Sequence, residues 1–204
     1  PSACMFPSPL NDILLLSGLS ARFPDSHFLT RMNRRWADPA EPAEADWVPG
    51  AFMILRPEAM QRAGLFFDES FFLYYEEVDL CQRIRHAGYR VFYWPDIRVT
   101  HLGGESARRS GPRQLTSFGR QLALWRFRSE WIYYRKHHQL LVAWVAHQLE
   151  SGWYRLRELR NLLSSDPTRR QKAVESRQMA QLIAQAWRET HRGQRPFFGP
   201  ETAA

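Results

Sequence analysis

The stretch Phe66-Phe67-Asp68-Glu69-Ser70-Phe71-Phe72-Leu73-Tyr74-Tyr75-Glu76-Glu77-Val78-Asp79-Leu80-Cys81-Gln82-Arg83 decides how the rest of this 204-residue chain is read. Six aromatic residues lead into three carboxylates, Glu76, Glu77 and Asp79, which open a helix predicted over Glu76 to Ala87 and stopped by Gly88. Leu80, Cys81, Ile84 and Ala87 recur at the i, i+3/i+4 spacing of a half-buried face. Glu77 stands one turn before Cys81 on that same face. A charge continuing an apolar stripe is costly unless a pocket, a metal or a substrate hydroxyl meets it, so Glu77 is the first candidate for chemistry. The helix dipole, worth about 0.3–1 kcal/mol per anion in the first turn, accounts for Glu76 and Asp79. Asp79 also precedes Arg83 by four residues, the spacing of an ion pair on a neighbouring face.

Working outward, Ala51 to Leu55 is a short apolar run bounded by Gly50 and Pro57, and predicts a strand buried on both faces. Pro57 to Gly64 is a compact helix signal, with proline in the first turn and glycine as the stop. Tyr89 to Trp94 predicts a strand, Pro95-Asp96 a turn, and Ile97 to His101 a second strand. Strand, helix, helix, strand, strand within about sixty residues indicates an α/β or α+β layer rather than a bundle. Residues 1–45 are punctuated by Pro7, Pro9, Pro24, Pro39 and Pro42 and are expected to be a linker-like, mobile surface segment, with two helical turns over Asp12 to Leu19. Beyond the α/β block of residues 46–109, a basic amphipathic helical region is expected over 110–192 (Leu115–Lys136, Gln139–Leu163, Arg169–His191). A disordered tail is expected over 193–204.

Charge is unevenly spread. Leu102 to Arg195 carries 18 Lys and Arg against 7 Asp and Glu, while the whole chain is +7. Trp125, Trp131, Trp144 and Trp153 are interleaved with arginine there, a composition suited to a helix lying on an anionic bilayer. A nucleic-acid surface is the weaker alternative, because no recognised motif accompanies the charge. No apolar run reaches the ~18 residues of a membrane span. Cys4 and Cys81 are far apart, and an inert buried thiol is expected at Cys81 rather than a bridge. The chain begins with Pro1, as a fragment or a processed product would. Trp47 beside Gly50 suits either a core aromatic under a tight turn or a ledge for a sugar ring. His101 is either an ordinary strand-end residue or a metal ligand. Phosphate-cradling glycine loops are absent.

Four blocks, in order, carry a family resemblance: Trp47-Val48-Pro49-Gly50-Ala51, Gly64 to Arg83, Ala87-Gly88-Tyr89-Arg90-Val91, and His101-Leu102-Gly103-Gly104-Glu105-Ser106. They resemble the second half of family 2 glycosyltransferases, in the rhamnosyltransferase-like branch that builds bacterial O-antigens and other surface polysaccharides. The resemblance implies the C-terminal, acceptor half of a GT-A fold over residues 46–109, followed by helices. Its acidic pair corresponds to Glu76-Glu77, whose second member is the general base, and Asp79 completes the acidic group. Trp47 and Gly50 correspond to the acceptor-site block, Tyr74 and Tyr75 to an acceptor-site wall, and His101 to a residue able to join the metal site. Implied partners are a nucleotide-sugar donor, a lipid-linked or growing glycan acceptor and the cytoplasmic face of the membrane, with no nucleic acid. A divalent metal, Mn²⁺ or Mg²⁺, is implied for the family. Glutamate replaces the usual aspartate at 77, and neither the nucleotide-binding half nor an Asp-x-Asp motif occurs in the sequence. The chain is therefore expected to be a truncated transferase inactive alone and not binding the metal by itself, with a non-catalytic or partner-dependent acceptor-binding half as the alternative.

Overall fold

The computed structural model describes residues 3–64, 66–100 and 117–197. The chain forms two compact units that alternate along the sequence. An α/β unit holds residues up to Glu69 and again from Tyr75; a helical unit holds Ser70–Tyr74 and the C-terminal helices.

The α/β unit comprises α1 (Pro9–Leu16), α2 (Leu19–Arg22), β1 (Ala43–Ala45), α3 (Pro57–Ala63), α4 (Glu76–His86) and β2 (Val91–Tyr93). α3 opens on Pro57 and stops at Gly64, whose φ of 88° suits glycine; Gly88, at 87°, does the same just beyond α4. β1 and β2 pair antiparallel, with Ala43 opposite Tyr93 and Ala45 opposite Val91. Arg85 of α4 fastens β1 in place: its guanidinium donates to the Ala45 carbonyl at 3.0 Å and pairs with Glu44 at 3.2 Å and Asp46 at 3.7 Å. Leu80, Cys81 and Ile84 turn the stripe of α4 into the core with Val91, and Phe6, Trp47, Met53, Leu55 and Met60 pack around them. Both cysteines are buried free thiols.

Three expectations are corrected. Residues 1–45 are not a loose linker: Asn11, Asp12 and Leu14 of α1 are buried, and β1 lies in the proline-broken stretch. Side chains tie this segment down. The Asp46 carboxylate accepts the Phe6 N–H at 3.0 Å, and the Asn11 amide donates to the Phe6 carbonyl at 3.0 Å. The run from Ala51 to Leu55 forms no strand; Met53 and Leu55 are half-buried, while Phe52 and Ile54 point outward, Ile54 being 76% exposed. Residues 97–100 form no strand either, and Ile97 and Val99 are exposed. An apolar run becomes a strand only where a neighbour takes its N–H and C=O groups, and the sheet has two strands among the described residues. Phe52, Ile54, Phe92, Trp94, Ile97 and Val99 instead line a cavity of about 570 Å³.

The helical unit is a three-helix bundle. α5 (Ser117–Leu162) is broken at Gln139, where φ 69° and ψ 173° leave helical space, so its two arms fold back on each other. Across this hairpin Arg126 faces Glu150 at 3.6 Å, and Trp131 meets His147 edge-on at 5.6 Å between centroids. α6 (Pro167–Glu189) opens on Asp166, whose carboxylate accepts the Thr168 N–H at 2.8 Å, and returns along the second arm. Trp187 stacks on His147 at 4.6 Å, and Arg128 pairs with Glu189 at 2.6 Å. Phe127, Trp131, Tyr133, Tyr134 and Ile183 are the fully buried centre. Ser70–Tyr74 belongs to this unit: Phe71 is buried, Phe72 lies 4.4 Å from the Trp125 ring, and the Leu73 carbonyl accepts the Ser129 hydroxyl at 2.8 Å.

The tail expected to be disordered from 193 is docked as far as 197; residues 198–204 lie outside the described residues. Phe197 packs 4.1 Å from the Arg128 guanidinium, and Gly193 (φ 76°) lies against the Trp131 backbone. A Cβ at 193 would overlap the Trp131 carbonyl oxygen. Gly193→Ala thus combines a left-handed backbone with a clash against main chain, and is expected to cost the bundle about 2–4 kcal/mol in chemical denaturation. An unchanged midpoint would show that the tail is not docked there.

Candidate functional site

The first turn of α4 forms under strain. Tyr74 and Tyr75 have φ of 67° and 68°, a conformation that costs a side-chain-bearing residue about 1–2 kcal/mol. Tyr75 immediately precedes α4 and supplies no side-chain cap, but its carbonyl accepts the Asp79 N–H at 2.9 Å, starting the helix. Tyr74 is exposed and belongs to the helical unit; Tyr75 is half-buried in the α/β unit.

The segment Trp47 to Gly50 runs along the face of α4 that carries Glu77 and Cys81. The Val48 backbone hydrogen-bonds the Cys81 thiol and the Gly50 backbone the Glu77 carboxylate, one helical turn apart. Burial pushes the Cys81 thiol up to about 11, so it is no nucleophile at neutral pH. Trp47 is half-buried against the core, and its indole N–H donates to the Met5 carbonyl at 2.9 Å. Gly50 is exposed, and a Cβ there would touch Glu77 Cβ at 3.4 Å. A side chain at 50 would therefore start in contact with the stem of Glu77, and glycine keeps that space clear.

Glu77 is half-buried, and its Oε2 atom is buried without a hydrogen-bond partner. Burial raises its carboxyl above the usual carboxylate range. Backbone N–H groups of Glu77 and Gly50 oppose the shift, and the neighbouring Glu76 charge adds to it. A carboxyl in this setting holds its proton more readily than an exposed one. Glu76 is also half-buried, with an unpartnered Oε2.

Asp79 is different. It is fully buried and paired with Arg83 at 2.8 Å, as the i, i+4 spacing predicts. Arg83 also donates to the Ala63 and Phe66 carbonyls, each at 2.9 Å. A carboxylate so enclosed positions α4 rather than touching a substrate. The reach of Arg83 to two carbonyls has no counterpart in the sequence reading, since backbone acceptors leave no residue signature.

His101 lies outside the described residues. Among the described residues no group of three or more His, Cys, Asp or Glu side chains converges as a metal ion requires. The apolar cavity is a separate feature, and Glu77 is not among the residues that line it.

Similarity to known proteins supports a relationship to the glycosyltransferases. The chain is similar to the rhamnosyltransferase WbbL of Escherichia coli (strain K12), 39% identical over 56 residues, which is 28% of this chain and 21% of that protein. It is also similar to the N-acetylglucosaminyl-diphospho-decaprenol L-rhamnosyltransferase of Mycobacterium tuberculosis (strain ATCC 25618 / H37Rv), 26% identical over 160 residues, or 76% of this chain and 45% of that protein. The chain thus spans less than half the length of these curated relatives. No protein-family model and no solved structure matches it.

Proposed function

We propose that the chain carries the acceptor side of an inverting sugar-transfer site, with Glu77 as general base. The unpartnered, buried Oε2 of Glu77, whose stem lies against the exposed Gly50, carries this reading. The ionised carboxylate takes the proton of an acceptor hydroxyl as its oxygen attacks the anomeric carbon of a nucleotide-activated sugar. The bond from that carbon to the diphosphate oxygen breaks, the nucleoside diphosphate leaves with the bonding pair, and the anomeric configuration inverts. Glu76 adds negative charge that raises the proton affinity of Glu77, and Trp47 and Tyr75 supply aromatic surface to a sugar ring. The names of the relatives support rhamnose as the transferred sugar, and that of the Mycobacterium tuberculosis relative supports a polyprenyl-diphosphate-linked acceptor; action at the inner face of the membrane is part of the same reading. The α/β unit is read as the C-terminal half of a GT-A fold. A divalent metal, with His101 as one ligand, would assist the leaving diphosphate when bound. A non-catalytic or partner-dependent acceptor-binding half is the second reading.

Calorimetric titration tests the acceptor site and separates the two readings. The chain is expected to bind a short-chain polyprenyl-diphosphate N-acetylglucosamine, and Gly50→Leu, which sets a side chain against the stem of Glu77, is expected to weaken binding about ten-fold or more. Equal binding by wild type and Gly50→Leu overturns the assigned site. Nucleotide-rhamnose binding favours a transferase complete in this chain; acceptor binding without it favours the partner-dependent half.

A further inference from the structure

The second arm of α5 presents apolar residues on the side turned away from the bundle. Ala143, Ala146, Glu150, Tyr154 and Asn161 are buried along its inner side. At 100° per residue, Leu141 and Leu159 share one azimuth on the opposite side, flanked by Trp144 and Leu156, with Leu163 just past the helix end. These five are among the exposed large hydrophobics of the structure: Leu141 is 71% and Leu163 90% exposed. From Leu141 to Leu163 the ridge is about 33 Å long at 1.5 Å per residue, more than a scatter of lone surface leucines requires.

Charge decides what covers it. At the same 100° per residue, the exposed Arg155 falls between Trp144 and Leu141, within the ridge, and the exposed Arg160 lies just outside Leu156. The acids of this arm are withdrawn from it: Glu150 is buried and Glu158 pairs with Arg177 at 2.7 Å. A second copy packed ridge to ridge would bury Arg155 of each copy in the apolar seam, where this arm offers no unpaired acid to meet it. An anionic surface meets both arginines. No helix among the described residues is long and apolar enough to cross a membrane, and an apolar ridge carrying arginines long enough to reach phosphates, with a tryptophan near one end, fits a helix lying in the headgroup plane.

We propose that this outward ridge docks the protein on an anionic lipid bilayer, leucines and Trp144 in the acyl boundary and Arg155 and Arg160 on headgroup phosphates. The proposal deepens the lipid-linked-acceptor reading, since it would hold the chain where such acceptors lie. It does not depend on sugar transfer. Vesicle flotation with the whole chain tests it. Binding is expected to phosphatidylglycerol-containing vesicles and to fall about ten-fold on neutral phosphatidylcholine vesicles or at high salt. The pair Leu156→Glu with Leu159→Glu, and separately Arg155→Glu with Arg160→Glu, should each lower binding about ten-fold while circular dichroism stays helical, because all four side chains are exposed. Four results overturn the proposal: no flotation of folded protein, flotation indifferent to charge, flotation unchanged in both double variants, or a wild-type dimer in size-exclusion chromatography that the leucine variant splits. Flotation without acceptor binding would refute only the acceptor site; acceptor binding without flotation would refute only the docking ridge.

Discussion

Glu77→Gln is expected to lower sugar transfer by roughly 10²–10⁴-fold, the usual worth of a positioned general base, in a polypeptide shown to be active with nucleotide-rhamnose and a polyprenyl-linked acceptor. Glutamine keeps the shape and the contact with Gly50 but cannot accept the proton. Two further readouts separate this from damage to the fold. Because burial raises the Glu77 carboxyl above the ordinary value of 4.5, the acid limb of kcat/KM should lie above that pH, the rate rising as Glu77 ionises. The linkage to stability has the opposite sign. A carboxyl whose folded-state pKa is raised contributes stability as pH falls and loses it as pH rises through the folded pKa, so at neutral pH its charge is a burden to the fold. Glu77→Gln should therefore melt no lower than wild type at pH 7 while losing transfer. A variant that keeps its rate would remove Glu77 from the role of base.

Arg83→Met should be the most damaging single change to the α/β unit. Arg83 faces the fully buried Asp79 and caps the Ala63 and Phe66 carbonyls, so one side chain holds α4 to the end of α3 and the start of the aromatic stretch. Removing one member of a buried pair costs about 3–5 kcal/mol, which lowers the melting temperature by roughly 10 °C in a protein of this size. Adding Asp79→Asn should recover part of the loss, since the buried charge goes with its partner. Thermal unfolding of the three variants measures the coupling; additive losses would mean that the pair carries no special weight.

How much of this was legible depends on what each feature needs from elsewhere in the chain. α4 and the half-buried place of Glu77 on it are legible because a stripe of period 3.6 and its misfit charge are contained in one stretch. The arms of α5, and α6, could be read for the same reason. Residues 51–55 and 97–100 read as strands and form none, because apolar runs say nothing about whether a ladder partner exists. Residues 1–45 were misread because single side chains, Asn11 and Asp46, tie down a proline-rich segment that lacks periodicity. The Gly50 approach to Glu77 was half legible: glycine announces close contact, but not with which residue.

The way the two units alternate along the chain has a consequence for dissecting them. Ser70–Tyr74 interrupts the α/β sequence to furnish Phe71, Phe72 and the Leu73 carbonyl to the helices. No single cut yields two intact pieces. A C-terminal fragment beginning at Ser117 would leave the Ser129 hydroxyl without its acceptor and uncover Trp125. An N-terminal fragment would carry those five residues away as an unpaired apolar loop directly ahead of Glu76. Separately expressed fragments should therefore be complemented by a short peptide spanning residues 70–74, and a circular permutant that keeps this crossing whole is the better route to studying either part alone.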